Sequence, residues 1–196
     1  MIGGLFRRLL RDERGTTVME FGLMITVFMT LMLGLFDLGQ MAYTKAILDG
    51  AVQSTAREVS LETGNVTAAN AHLREMLALS APGVTVTTSR VNYTDFADIE
   101  RPETWDDADG SGVCDNNEAY TDENGNGNWD TDVASTGNGS ASDVVILTVT
   151  ATYDPLFPNP FTPGGVSERS LTSTAVKKNQ PFADQAGYGS DAGVCA

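Results

Sequence analysis

The stretch that decides the fold is Glu20-Phe-Gly-Leu-Met-Ile-Thr-Val-Phe-Met-Thr-Leu-Met-Leu-Gly-Leu-Phe36. From Phe21 to Phe36 it carries no charge and no proline. Hydrocarbon accepts a backbone only when every peptide group is hydrogen-bonded within it, so such a run predicts a helix in a bilayer. Sixteen residues rise about 24 Å, a little short of a span. Asp37 interrupts, and Leu38-Gly-Gln-Met-Ala-Tyr43 can carry the helix on to the far interface. Arg7, Arg8, Arg11 and Arg14 precede the run. Cationic residues stay on the cytoplasmic side, which predicts a single-pass inner-membrane protein with a cytoplasmic N-terminus. Everything after Phe36 then lies in the periplasm or outside the cell.

A cleavable secretory signal is the plainer reading of a basic start and an apolar core. Such a signal ends in a small-residue cleavage site. Leu33-Gly-Leu-Phe-Asp37 offers none. The unusual feature is at the other end, where Glu20 opens the apolar run. A carboxylate in lipid is costly without a partner. Thr16 lies four residues earlier, on the same helix face. Cleavage after Gly15 would give Thr16 a free amine able to neutralise Glu20, in its own helix or a neighbouring one.

Arg14-Gly15-Thr16-Thr17-Val18-Met19-Glu20-Phe21 resembles the type IV prepilin pattern: basic leader, glycine, cleavage, then glutamate as fifth residue of an apolar helix. Joined to Asp37-Leu-Gly-Gln-Met-Ala-Tyr-Thr-Lys-Ala-Ile-Leu-Asp-Gly-Ala-Val-Gln-Ser-Thr-Ala-Arg-Glu58, it is most similar to the TadE-like minor pilins of the tight-adherence (Flp-type) pilus. The resemblance implies processing by prepilin peptidase at Gly15 and Thr16, with Glu20 serving processing or helix docking. It implies as partners the inner membrane, the peptidase, other pilins and pilus-assembly proteins. An unprocessed single-pass anchor carrying a calcium-dependent adhesion domain is the alternative, and a secreted calcium-binding protein is a third class.

The chain of 196 residues has net charge −14. Removing residues 1–15 takes away four arginines and two acids, leaving the remainder more acidic. That balance excludes the basic footprint of a nucleic-acid binder. Two cysteines, Cys114 and Cys195, predict one disulfide in an exported chain.

The predicted organisation is α+β: leader 1–15, transmembrane and amphipathic helix 16–64, and extracytoplasmic domain 65–196 with an acidic insert at 95–142. Leu38, Met41, Leu48, Val52, Thr55, Ala56 and Val59 continue the helix as an amphipathic shaft, ending near Gly64-Asn65. A second helix runs from an N-cap at Thr67 to Ser80. Val84–Tyr93 reads as a strand, with a slip in alternation that allows a bulge. In Asp143–Tyr153 the set Val145, Leu147, Val149, Ala151 and Tyr153 shares one face, the other turning to threonine. Ser167–Lys178 reads as a third strand. The proline-rich link Asp154–Gly165 between these two strands is similar to one in TadE-like chains. The tail from Asn179 is loosely held unless Cys195 tethers it.

Residues 95–132 hold 13 of the 26 acids. Asp107-Ala-Asp109-Gly-Ser111-Gly112-Val113-Cys-Asp115-Asn-Asn-Glu118 fits the spacing of a calcium loop. Oxygen donors fall at positions 1, 3, 5, 9 and 12, glycine at 6, and Val113 offers its carbonyl at 7. Fifteen residues on, Asp122, Asn124, Asn126, Gly127, Asn128 and Asp130 repeat the beginning, Asn128 giving its carbonyl. Position 12 is there Val133, so the bidentate carboxylate is missing, with Asp132, Asp130 or Glu118 as substitutes. Two loops in register resemble the compact double calcium loops of bacterial surface proteins. A structural calcium site is expected, with Trp105 and Trp129 locked beside it. The three residues between the loops leave no room for the helices of a full EF-hand. Catalysis is not expected: the one histidine, His72, sits on a polar helix face without a partner base or nucleophile.

Overall fold

The computed structural model describes residues 14–61, 65–157 and 168–195. The leader through residue 13, Gly64, Pro158–Gly165 and Ser167, all used in the expectations above, lie outside the described residues. The first helix, α1, spans Arg14–Val59 without interruption. Its two halves meet different surroundings. Val18, Met19, Phe21, Leu23, Met24, Val27, Phe28, Leu31 and Leu35 are exposed, an apolar surface that a water-soluble protein does not present on this scale. Thr26 and Thr30 return their hydroxyls to the carbonyls of Gly22 and Thr26, each at 2.8 Å. That bond satisfies a polar group inside an apolar run.

From Asp37 onward one face is buried: Asp37, Thr44, Leu48, Ala51, Val52, Thr55 and Ala56, at three- and four-residue steps. This face meets α2 (Val66–Ala78) and the sheet. The core is Leu48, Ala51, Val52 and Ala56 of α1, Leu73 and Leu77 of α2, and Val86, Leu147, Val149, Ala151 and Ala175 of the sheet. The boundary between the helices corrects two expectations. The first helix stops at Val59, not at Gly64-Asn65. Asn65, not Thr67, caps the second, its side chain accepting from Thr67 and Ala68 N–H at 3.0 and 3.1 Å. An asparagine oxygen satisfies orphan donors at a helix start as well as a threonine does. The second helix ends at Ala78, two residues before Ser80.

The sheet is antiparallel, in the order β3-β1-β4-β5. Its strands are β1 (Thr85–Tyr93), β3 (Ser135–Thr136), β4 (Val144–Tyr153) and β5 (Arg169–Lys178). A second sheet pairs β2 (Ala119–Asp122) with β6 (Asp191–Val194). The register of β1 on β4 runs unbroken from Thr85↔Thr152 to Tyr93↔Val144, so the expected bulge is absent. What looked like a slip is Val91, which lies opposite Ile146 and, through it, Val176. A small apolar patch thus continues the outer face. The predicted inner face of β4 is buried throughout. The outer face carries hydroxyl pairs, Thr148–Thr174 at 3.3 Å and Thr150–Thr172 at 3.1 Å.

Where the exposed apolar helix gives way to the domain, Asp37 (2 % exposed) is ion-paired with Arg169 at the start of β5. The Phe36 and Phe157 rings meet there at 5.3 Å between centroids. The Gln40 side-chain oxygen accepts from Leu156 N–H at 2.9 Å.

Candidate metal centre

The insert is built outward from one antiparallel crossing. Trp105 bridges Tyr120. Asp106 N–H donates to Ala119 O at 2.9 Å, and Thr121 N–H to Thr104 O at 2.8 Å. In that register Asp107 stands across from Glu118, and Asp122 across from Glu103. Each pair closes one loop.

In the first loop, Asp107, Asp109 and Glu118 bring carboxylate oxygens within 4.8 Å of one another. Glu118 is buried and the other two are exposed. The Glu118 oxygen Oε1 accepts from Ala108 N–H (2.7 Å) and Asp109 N–H (3.4 Å), and Oε2 from Asp115 N–H (3.3 Å). Asp107 accepts from Gly112 N–H at 3.1 Å. Gly112 has φ +79, a left-handed backbone that glycine adopts without penalty and that turns its N–H inward. Ser111 N–H donates to Asp109 at 3.0 Å, and the Ser111 hydroxyl to Val113 O at 3.0 Å. The Asn116 amide holds Asp109 and Asp115, each at 2.9 Å. The predicted ligands Asp107, Asp109, Ser111, Val113, Asp115 and Glu118 are therefore gathered around one turn.

Electrostatics show what the cluster lacks. The Asp115 carboxyl is pushed up, first by desolvation and then by the charges of Asp109, Glu118 and Asp107. Asp109 is held below the ordinary range, chiefly by the Ser111 N–H. Crowded carboxylates restrained by N–H donors, with no cationic side chain ion-paired to them among the described residues, form a cluster of hard oxygen donors that could hold a metal ion.

The second loop repeats this wiring. Asp122 accepts from Gly125, Asn126 and Gly127 N–H at 2.7, 3.1 and 2.7 Å. Asn124 accepts from Asn126 N–H at 3.1 Å, and Asn126 from Asn128 N–H at 2.8 Å. The Asn124 amide donates to Asp130 at 2.9 Å, and the Asn126 amide donates to the same carboxylate.

The substitutes proposed for the missing twelfth position need correcting. Glu118 is engaged in the first loop. Asp132 turns away, accepting from the Tyr93 hydroxyl at 2.9 Å and Ala134 N–H at 3.2 Å. Asp130 already holds position 9, and Val133 is fully buried in its own right. The side chain that lies in the second loop as Glu118 lies in the first is Glu103, a residue the motif reading missed. Its Oε1 accepts from Glu123 N–H (2.8 Å) and Asn124 N–H (3.0 Å), and its Oε2 from Asp130 N–H (3.2 Å). These are loop positions 2, 3 and 9, the same three that Glu118 serves in the first loop. A signal was present: Glu103-Thr-Trp-Asp-Asp107 and Glu118-Ala-Tyr-Thr-Asp122 share a Glu-x-aromatic-x-Asp pattern. A loop motif that starts at the first aspartate does not look upstream for it.

The knob is fastened at three places. Cys114 and Cys195 form the predicted disulfide, with Cα atoms 5.7 Å apart. Asn117 N–H donates to Cys195 O, and Cys195 N–H to Glu118 O. Cys195 thus tethers the tail as the expectation required, and Asp191–Val194 of it pair on β2 as β6. Trp105 and Trp129 pack edge to face at 5.1 Å against Tyr120 and the disulfide. Arg101 grips Glu123 through two nitrogens (3.1 and 2.6 Å) and Asp98 through Nε (2.9 Å). That bidentate bond holds the Glu123 carboxyl down at about 2.

The remaining predicted site residues lie apart. Glu20 is exposed on the apolar part of α1, one turn after Thr16, and His72 is exposed on α2. Neither is brought near the insert. α1 passes by length and composition as a membrane-spanning helix. Comparison with curated proteins and with solved structures finds no match. Residues 15–57, nearly the whole of α1, match the family model described as TadE-like protein, a similarity that covers this helix and not the domain that follows it.

Proposed function

We propose that the chain is a minor pilin-like subunit of a tight-adherence (Flp-type) pilus, cut after Gly15 by prepilin peptidase. The observation that carries this reading is the TadE-like helix itself. It exposes an apolar surface from Val18 to Leu38 and places Glu20 within its first turns. Apolar side chains in that number need lipid before assembly and neighbouring helices after it. A carboxylate among them calls for a positive partner, which the new amine of Thr16 would supply. The arginines of the leader favour an N-in insertion. The outer domain, with a structural calcium knob, would then be the partner-facing part. Nothing in this reading asks for catalysis.

Sequencing the N-terminus of protein recovered from the native membrane tests it. Thr16 as first residue is the expected result, with processing lost in Gly15→Trp. An intact Met1 in cells that make the pilus would overturn the pilin reading and leave an unprocessed anchor bearing a binding domain. Calcium is tested separately: chelation should loosen residues 100–133 to hydrogen exchange while α1 keeps its protection. Unchanged exchange there would remove the ion from the account.

A further inference from the structure

We infer that Glu103 is the acidic ligand missing from the second loop, so that the insert holds two divalent cations in sites related by an internal two-fold. This rests on the cation reading of the first loop and extends it.

The observation that carries the inference is one of charge, independent of loop shape. Glu103 is 0 % exposed, its carboxylate is turned into the second loop, and no cationic side chain among the described residues pairs with it. The basic residue of the insert, Arg101, is committed to Glu123 and Asp98. Asp122, across the crossing from Glu103, is also buried and has no ion pair among the described residues. Peptide N–H groups supply hydrogen bonds to these carboxylates but no net charge. An ionised carboxylate taken fully out of water needs a counter-charge. Glu103 and Asp122 stand across from each other in the crossing, Asp130 N–H donates to Glu103, and no cationic side chain among the described residues supplies that charge. A divalent cation supplies it.

Symmetry fixes where that cation sits. The strands crossing at Trp105 and Tyr120 run antiparallel. Each begins with a glutamate and ends with the first aspartate of a loop. Each glutamate therefore reaches the loop begun by the other strand: Glu118 the loop of Asp107, Glu103 the loop of Asp122. The second site offers Asp122, Asn124, Asn126, Asp130 and Glu103 side chains with the Asn128 carbonyl, an all-oxygen set suited to calcium. Without Glu103 it would hold two carboxylates, and with it three. A glutamate that only capped the turn would stabilise the loop equally with or without the ion, and the test separates these roles.

The measurement is calcium stoichiometry on the full-length chain in detergent micelles, by native mass spectrometry and titration calorimetry. Wild type should take up two ions. Glu103→Gln and Asp122→Asn should each take up one, Glu118→Gln one, and Glu103→Gln with Glu118→Gln none. Glu103→Asp keeps the charge and should retain two, the second about tenfold weaker. Peptide mapping for the Cys114–Cys195 bond checks that each variant is folded. If Glu103→Gln fails to fold, Asp122→Asn and Glu103→Asp decide the matter. Two ions retained by Glu103→Gln overturn the inference. So does a wild type that binds one ion and loses it only in Glu118→Gln, which leaves the first site standing. Uptake of no ion by wild type sinks both sites together.

Discussion

Opening the Cys114–Cys195 disulfide should cost the outer domain most of its margin. The bridge spans 81 residues and encloses β2 through β6. The chain-entropy relation puts the closure of such a loop at about 4.5 kcal/mol. This is an upper figure, because real unfolded chains are already compact. The tail keeps other attachments when the bridge is gone. The β6 ladder on β2, Gly189 N–H on Glu123 O and the Gln185 amide on Thr94 O and Asp143 remain, each worth about 1 kcal/mol net. Ordering the backbone costs about 1–2 kcal/mol per residue, so these bonds do not hold the tail by themselves. The expected loss in Cys114→Ser/Cys195→Ser is therefore about 3–4.5 kcal/mol. Denaturant unfolding in micelles would read it. Tryptophan emission follows the knob, since Trp105 and Trp129 pack on the bridge, and circular dichroism follows the sheet. Both midpoints should fall together, because the closed loop contains β4 and β5 as well as the knob. A serine variant that unfolds within about 1 kcal/mol of wild type, near the error of such extrapolations, would refute the reasoning.

Other expectations follow from single contacts. In Gly193→Ala the new methyl would lie 2.2 Å from the Tyr120 ring; β6 must shift, at about 1–3 kcal/mol, and the disulfide should be reduced faster by a thiol reagent. Asp37→Asn leaves the Arg169 guanidinium without its carboxylate in a buried place, at a cost of about 3 kcal/mol; thermal unfolding should show it, and Asp37→Asn/Arg169→Gln should recover part of the loss. Burial, aided by the Asp132 carboxylate, pushes the Tyr93 phenol up to about 12. An unfolded tyrosine ionises near 10. Above pH 10 the unfolded chain gives up a proton that the folded chain keeps, so this stabilisation is complete below pH 10 and disappears as pH rises through 12. Tyr93→Phe should flatten that decline in a pH series of denaturant midpoints.

What the sequence made legible were features written in one segment at a time. The apolar run, the 3.6-residue stripe from Leu48 to Ala56, the alternation of Val145 to Tyr153 and the spacing from Asp107 to Glu118 each depend on neighbours in the chain. What it concealed depends on segments meeting. Glu103 belongs to the second loop only because Thr104–Asp106 crosses Ala119–Thr121 antiparallel, and a motif read along the chain has no place for a ligand supplied from upstream. Val91 looked like a slip because its partners Ile146 and Val176 come from other strands. Asn65, expected at the end of one helix, begins the next. Asparagine suits both roles, and only the path of the chain between them decides.

Asp37 shows how the same limit affected the reading of the membrane segment. Seen along the chain it cuts the apolar run short, leaving about 24 Å and the need to continue past a charge. In the fold it is the first residue of the domain, buried and paired with Arg169, while Phe36 beside it stacks on Phe157. The helix from Thr16 to Phe36 then rises about 31 Å, enough for the hydrocarbon core with no charge after Glu20 inside it. With the apolar half of α1 in a bilayer, as proposed, the carboxylate would mark where lipid ends and protein packing begins, a place where a bare charge would be least tolerated on one side and is matched on the other. α1 continues from that point into the core through Leu48 and Val52 without a break. No flexible linker separates anchor from domain, so the direction in which the knob faces is set by how the apolar half of the helix packs. A subunit whose outer surface must be presented at a fixed orientation on a helical assembly needs that coupling, whereas a merely tethered domain does not.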